Sequence, residues 1–413
     1  MTRILRARQL AVIVLALAVP LLLVGCSGDS YPNTTFTNLT DFNRDARGLW
    51  NLMMRLAIVV FVLVEALLIY VMIRYRRRPG DAQPEHVHGN TALELTWTIA
   101  PALILVIIAI PTVRSIWRFQ AAAPADAVQI DVIGHQWWWE FRYPQYNIVT
   151  ANEVYFPSGR AVNFTLTSKD VIHSFWMPNL AGKRDAVSNR ANHLWFTTDS
   201  TGVQAFNGSC NEYCGASHAN MRFRAYSVSP EDFDNWVAGQ QQSAVFPVVQ
   251  APAATPATPV ADPPQVPVAG YAFPADQLPT HVIPATPVPA GLTIADDVLA
   301  AGDAQRGADL FSRTTCIGCH TVRGTISRGV IGPDLTHIGS RHTIAAGLYP
   351  NDPRHMALWL KNARRMKPMQ TSSMPTLGVG ETDPILETTV SAALGGLTDQ
   401  QIADLVAYLM SLK

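Results

Sequence analysis

A chain of 413 residues has room for two or three domains. Its 31 basic and 31 acidic residues cancel, and only 15% of all residues are charged, so composition gives no support to nucleic-acid binding. The five cysteines, Cys26, Cys210, Cys214, Cys316 and Cys319, each fall in a separate local pattern, which argues against a disulfide framework.

Residues 1–25 read as a secretory signal. Arg3, Arg6 and Arg8 form a basic start, and Leu10 to Val24 form an apolar stretch that is short for a membrane span. The sequence Leu23-Val24-Gly25-Cys26 resembles a bacterial lipobox, with Cys26 as the lipid-modified first residue of the mature protein. Simple cleavage, or an uncleaved helix with an incidental cysteine, are the competing readings.

Residues 40–118 hold two apolar runs, Leu56 to Ile73 and Leu95 to Val113, each long enough to cross a bilayer as a helix. Arg74, Arg76, Arg77 and Arg78 lie between them. Basic loops stay on the cytoplasmic side, which places everything after residue 118 outside a bacterial cytoplasmic membrane. Glu65 interrupts the first run, where an ionisable group is costly and faces a partner or a water path. Glu94 stands at the start of the second; a solvated helix-end acid is its plainest reading.

Residues 126–239 carry short β-branched and aromatic runs at 128–133, 161–167 and 193–198, separated by turn signals such as Asn207-Gly208. This spacing predicts a small all-β sandwich or Greek-key barrel. Trp137, Trp138 and Trp139 are adjacent, and successive residues of a strand face opposite ways, so the three cannot all be core. Residues 231–239 predict a short closing helix.

Within this domain lies Cys210-x3-Cys214-x3-His218-x2-Met221, and His173 ends a strand-like run upstream. Thiolate, thioether and imidazole suit copper. Two thiolates exceed what a blue-copper site uses, but they suit a bridge between two copper ions. Each metal then takes one histidine, with Met221 and a backbone carbonyl as weak axial groups. A Cys2His2 zinc site has different spacing and leaves Met221 without a reason; a structural Cys210–Cys214 disulfide is a further alternative.

Residues 240–295 are rich in Pro, Ala and Val and show no period, which predicts an extended, semi-rigid linker. Residues 297–413 form an all-α unit containing Cys316-Ile317-Gly318-Cys319-His320, the c-type haem attachment pattern with His320 as proximal ligand. Met374 is the expected distal ligand, with Met366 and Met369 as rivals. The chain ends in an amphipathic helix capped by Thr398.

On Cys210-x-Glu212-x-Cys214-x3-His218-x2-Met221, His173 and Gly134-His135-Gln136-Trp137-x-Trp139, residues 40–240 resemble subunit II of the haem–copper cytochrome c oxidases. That family has a two-helix transmembrane hairpin and a cupredoxin-like CuA domain. With the appended haem unit, the whole chain resembles the fused subunit II of caa-type oxidases. The resemblance implies that His173, Cys210, Cys214, His218 and Met221 bind binuclear copper through side chains. Glu212 does so through its carbonyl, with its carboxylate reaching a magnesium at the subunit I boundary. It further implies Trp137 as the point of electron input and Glu94 as the mouth of a proton path into subunit I.

The implied assembly holds subunits I and III and receives electrons from a soluble cytochrome, a cupredoxin or a quinol–cytochrome reductase. Asn211 and Trp138 depart from the residues usual in the family, and segment 378–396 is longer than the family pattern leads one to expect. The expected function is electron input to an oxidase that reduces oxygen to water and translocates protons, with no oxygen site on this chain. A CuA-containing nitric oxide reductase subunit and a stand-alone membrane-anchored carrier are the alternatives; the complete copper ligand set disfavours a quinol oxidase.

Overall fold

The computed structural model describes residues 32–83, 86, 88–199, 204–244, 270–370 and 373–413. The signal segment and Cys26 lie outside these residues.

Helices Asp41–Arg74 and Thr91–Gln120 carry apolar side chains outward along most of their length, and both are long and apolar enough to cross a membrane. Their outer ends are tied to the β domain by buried polar contacts. The Thr40 hydroxyl caps the first helix by accepting from Asn43 N–H and itself donates to Leu180 O (2.6 Å). The Asn43 amide donates to Asn179 O (2.7 Å), and Asp41 accepts Thr197 N–H (2.8 Å). Arg118 on the second helix pairs with Asp45 and Asp41 on the first.

Ten strands follow: β1 (Val128–His135), β2 (Trp138–Tyr143), β3 (Ile148–Ala151), β4 (Glu153–Pro157), β5 (Ala161–Ser168), β6 (His173–Trp176), β7 (Arg184–Ala186), β8 (Asn192–Thr197), β9 (Gln204–Cys210) and β10 (Arg222–Val228). They form two five-stranded sheets, β3-β2-β1-β5-β8 and β4-β10-β9-β6-β7. Each sheet contains one parallel pair, β1 with β5 and β10 with β4, among antiparallel neighbours. Burial alternates strictly along β1, so Val128, Ile130 and Val132 face inward. Across the interior Trp139 meets Phe175 at 5.4 Å between ring centres, and Phe141 meets Phe223 at 5.7 Å. Helix Pro230–Gln241, capped by Ser229, closes one end with Phe233, Trp236 and Val237 buried.

The three tryptophans do not share one strand. β1 ends at His135 and β2 begins at Trp138, so Trp137 occupies the turn between them. Trp139 is core, whereas Trp138 is half-buried and stacks on His135.

Part of the Pro-rich tract also differs from an open linker. Phe273 and Val282 are buried in the β-domain core, and Leu292 and Ile294 in the core of the haem unit. Pro is compatible with this extended backbone, and every fully buried anchor in the strap is a large apolar side chain. The described part of the tract, residues 270–295, is therefore a strap packed along both units.

The haem unit is built on the crossing of helices Ala304–Arg313 and Asp399–Ser411. Gly307 permits it, since a Cβ there would lie 2.0 Å from Asp404 O. Beside that crossing, Asp404 accepts from Arg306 (2.7 and 2.9 Å), Asp303 N–H (2.9 Å) and Gln400 (3.1 Å). Burial pushes the Asp404 carboxyl up, and these bonds outweigh it, leaving the group below its ordinary 3.8.

A carboxyl depressed by folding contributes stability that is present above the unfolded value and lost as pH falls through the folded one. Asp404→Asn should therefore lower the thermal midpoint of the haem unit at neutral pH. The gap between variant and parent should shrink as acid protonates the parent carboxyl, which melting curves across an acid pH series would check.

Candidate metal centre and haem site

The copper candidates come from three segments. β6 begins at His173, β9 ends at Cys210, and the loop from 211 to 221 returns the chain to β10. Phe175 pairs with Cys210 across β6 and β9, which brings His173 to the cysteine loop although 37 residues separate them. The Cys210 and Cys214 sulfurs are 3.7 Å apart and both thiols are free. A disulfide would bring them to about 2.05 Å. Around them stand His173 Nδ1 (3.9 Å from Cys210 Sγ), Glu212 O (3.3 Å from Cys210 Sγ), His218 Nδ1 (3.6 Å from Cys214 Sγ) and Met221 Sδ (3.9 Å from Cys214 Sγ).

His173, Cys210 and Cys214 present their donor atoms within 4.8 Å of one another, and all three are buried. The six donors therefore fit a pair of soft metal ions bridged by two sulfurs, with one imidazole and one weak group on each side. Between the thiols, Cys210 holds the lower pKa. The Cys214 thiol donates to it and outweighs burial, while Cys214 is pushed up.

Asp170 was not legible in the sequence as part of this centre. Its carboxylate accepts from His173 Nε2 at 2.8 Å, leaving Nδ1 to face Cys210. Burial pushes the imidazole down, and the Asp170 and Cys210 interactions outweigh it. The available signal was an acid three residues before a ligand histidine.

Trp137 contacts the centre directly. Its indole N–H donates to Cys214 O at 3.0 Å, and the neighbouring Gln136 amide donates to the same carbonyl at 2.7 Å. Trp137 is only 3% exposed and belongs to the β-domain core. Lys367, itself buried, donates from Nζ to Trp137 O at 2.5 Å, and the Ser217 hydroxyl donates to Pro368 O.

Farther along the interface, Glu153 accepts from His342 N–H (2.9 Å), Thr343 N–H (2.8 Å) and the Thr343 hydroxyl (2.9 Å). Arg224 donates to Gly347 O (3.0 Å) and to Val282 O in the strap (2.7 Å). Desolvation brings the Lys367 ammonium down to about 7, opposed by the attraction of Cys214.

In the haem unit, Cys316 and Cys319 lie half-buried at the two ends of the short helix Cys316–Cys319. His320 Nδ1 donates to Pro333 O at 2.8 Å, which fixes the tautomer and leaves Nε2 as the free ring atom. Gly332 makes room for the ring, since a Cβ there would lie 2.6 Å from His320 Cε1. These features fit a covalently held haem with His320 on one face. Of the three methionines, Met369 packs against the β-domain core, Met366 is buried in the haem-unit core, and Met374 is half-buried at its edge.

Two sequence-predicted carboxylates, those of Glu94 and Glu212, lie outside the donor set. The Glu94 carboxylate, in the first turn of its helix, accepts Asn90 N–H at 3.3 Å. The Glu212 side chain is exposed, as are those of Tyr213, Val171 and Ile172.

Residues 40–115 match the family described as the transmembrane domain of cytochrome C oxidase subunit II, and residues 147–228 match its periplasmic domain. Residues 304–413 match cytochrome c. The chain is 32% identical over 403 residues to cytochrome c oxidase subunit 2 of Alkalihalophilus pseudofirmus, spanning 95% of this chain and 94% of that protein. To the protein of the same name in Bacillus subtilis it is 30% identical over 396 residues, spanning 91% and 95%. Among solved structures, the periplasmic domain of cytochrome oxidase subunit II of Bradyrhizobium japonicum is 28% identical. It covers 29% of this chain and 97% of that one, with a TM-score of 0.28.

A partner that orients a metal-bound histidine is worth about 10–100-fold in metal affinity. Asp170→Asn is expected to weaken copper retention by about that factor, read by competition with a copper chelator.

Proposed function

The chain belongs to the cytochrome c oxidase subunit II family, and from that premise we propose how its own residues perform electron input to the oxidase. It is a two-pass membrane subunit with an attached cytochrome c domain, and it works with subunit I of a haem–copper oxidase. Electrons pass from haem c to CuA and on to subunit I, where oxygen is reduced to water and protons are translocated. When bound, the copper pair and the haem each supply reversible one-electron storage.

His173, Cys210, Cys214, His218 and Met221, with the Glu212 carbonyl, would hold the copper pair. The burial of His173, Cys210, Cys214 and Met221 and the mixed soft donor set support this assignment. Cys316 and Cys319 would hold the haem covalently, and His320 and Met374 would bind its iron. The Glu212 carboxylate, exposed on the loop that carries Cys210 and Cys214, is suited to a magnesium at the boundary with subunit I. Glu94 lies at the mouth of a proton path at the cytoplasmic end of its helix. Subunit III completes the assembly, in a bacterial cytoplasmic membrane with the copper and haem units on the outer face.

One observation carries the route: Trp137 touches both redox units. Its indole N–H reaches the carbonyl of Cys214, and its own carbonyl receives Lys367 from the haem unit. Trp137 thereby receives electrons from the attached domain, not from a free protein, because its 3% exposure leaves no docking face. The external donor, whether a soluble cytochrome, a cupredoxin or a quinol–cytochrome reductase, then has to meet the haem unit.

Trp137→Phe removes the indole N–H bridge while keeping a buried ring. Rapid-mixing or flash-initiated kinetics of the purified complex should show slower haem-to-copper transfer with an unchanged copper spectrum; an unchanged rate would exclude Trp137 from the path. Metal and haem analysis of the same preparation should find two coppers and one covalent haem c per chain, whereas one copper, or zinc, would overturn the binuclear assignment.

A further inference from the structure

Segment 378–396 lies between the Met374 loop and the last helix, and it folds into a closed hairpin. Gly380 N–H donates to Val390 O, Val390 N–H to Glu381 O, and Thr382 bridges to Thr389. Its base is pinned to the end of helix Pro353–Lys361, with Gly378 N–H donating to Lys361 O (2.8 Å) and the Asn362 amide to Thr382 O (3.1 Å).

The hairpin delivers Asp383 into the interior. Asp383 and Arg364 form an ion pair at 2.7 Å whose side chains are 4% and 3% exposed. A buried pair of this kind is tolerated only when its remaining donors and acceptors are also satisfied. Here the other Asp383 oxygen accepts Ile385 N–H (2.9 Å) and Leu386 N–H (3.0 Å). Two further Arg364 donors reach the methionine loop, with Nε donating to Met374 O (3.2 Å) and an Nη to Ser373 O (3.3 Å). On its other side the loop is held by Leu377 N–H to Lys361 O and by the Thr376 hydroxyl to Asn362. Pro375 has no N–H to contribute; Ser373 N–H donates to Gln370 O (3.1 Å), and Arg364 supplies donors to the Ser373 and Met374 carbonyls.

We propose that the 378–396 hairpin is a clamp on the haem-ligand loop: Asp383 fixes Arg364, and Arg364 fixes the backbone at Ser373 and Met374, so that the Met374 thioether is held toward the haem. This rests on Met374 as the axial ligand. Asp383 and Arg364 are positioning residues that act through the loop. Losing the clamp weakens the methionine–iron bond without touching Cys316, Cys319 or His320, so the haem stays attached while its distal ligand becomes displaceable.

Removing Arg364 alone strands a buried carboxylate and risks the fold. The test therefore uses the full chain, loaded with haem and copper, carrying Arg364→Met together with Asp383→Asn. The asparagine keeps the oxygen that accepts from Ile385 and Leu386. Arg364→Lys serves as a second variant, retaining the charge opposite Asp383 but not a planar fork able to reach two carbonyls at once.

Magnetic circular dichroism follows the methionine-to-ferric-haem charge-transfer band apart from copper absorption, imidazole titration measures displacement of the ligand, and redox titration gives the haem potential. Both variants should bind a full complement of haem. Imidazole should displace the methionine about tenfold more readily in the paired variant, the equivalent of one charged hydrogen bond, and less so in Arg364→Lys. The potential should fall with the loss of methionine ligation.

Met374→Ala separates the two levels of the reading. If it keeps the band, Met374 is not the ligand and the clamp falls with it. If it loses the band while Arg364→Met/Asp383→Asn and Arg364→Lys keep the parent band, imidazole affinity and potential, Met374 stands and the clamp is wrong.

Discussion

Two free thiols held 3.7 Å apart, with two imidazoles, a thioether and a carbonyl around them, set the terms for the rest of the molecule. Polar and ionisable donors gathered in a buried place are costly unless the scaffold satisfies or uses them. The sandwich meets that cost with strand pairing. β6 against β9 brings His173 to Cys210, and Cys210 N–H donates to Met221 O, closing the ligand loop at its base. Asp170 then turns the buried His173 ring so that Nδ1 faces the sulfurs. The loop is a local motif, but its donor geometry comes from the sheet.

The remaining parts hold that centre between a membrane and an electron source. Thr40, Asp41 and Asn43 join the first transmembrane helix to the β domain through buried hydrogen bonds, and Arg118 ties the second helix to the first. The sandwich is thereby set at a defined position above the hairpin. On another face, Glu153 and Arg224 of the β domain hydrogen-bond to backbone of the haem unit, and Lys367 of the haem unit donates to backbone of the β domain. Backbone partners give such a contact a fixed register, and burial of three charged side chains makes it expensive to open halfway. The attached cytochrome c domain is thereby seated in a fixed register on the β domain, with Trp137 enclosed at the contact.

Some of this was legible in residue order and some was not. The soft-donor loop after residue 209, the haem attachment motif and the two apolar spans were visible because each depends on near-neighbour spacing or on the length of an apolar run. The closing helix 230–241 and the capped last helix were visible for the same reason. The turn position of Trp137 was not. Three adjacent tryptophans look like a single strand, and only pairing of His135 with Trp138 across β1 and β2 shows where the chain reverses. The strap at 270–295 was hidden too, because its apolar anchors follow no period and acquire meaning only from the cores they fill.

By itself the sequence determined the local patterns: which soft donors lie close in the chain, where the haem attachment motif stands, and which segments are long and apolar enough to cross the membrane. Those properties are carried by covalent spacing and by local apolar runs. Tertiary structure decided the geometry of transfer: that Trp137 is enclosed, that Lys367 reaches it across 230 residues, and that Arg364 and Asp383 meet beside Met374. Hydrogen bonds and burial between residues far apart in the chain depend on packing, and no pattern of neighbouring residues encodes which distant side chain will arrive.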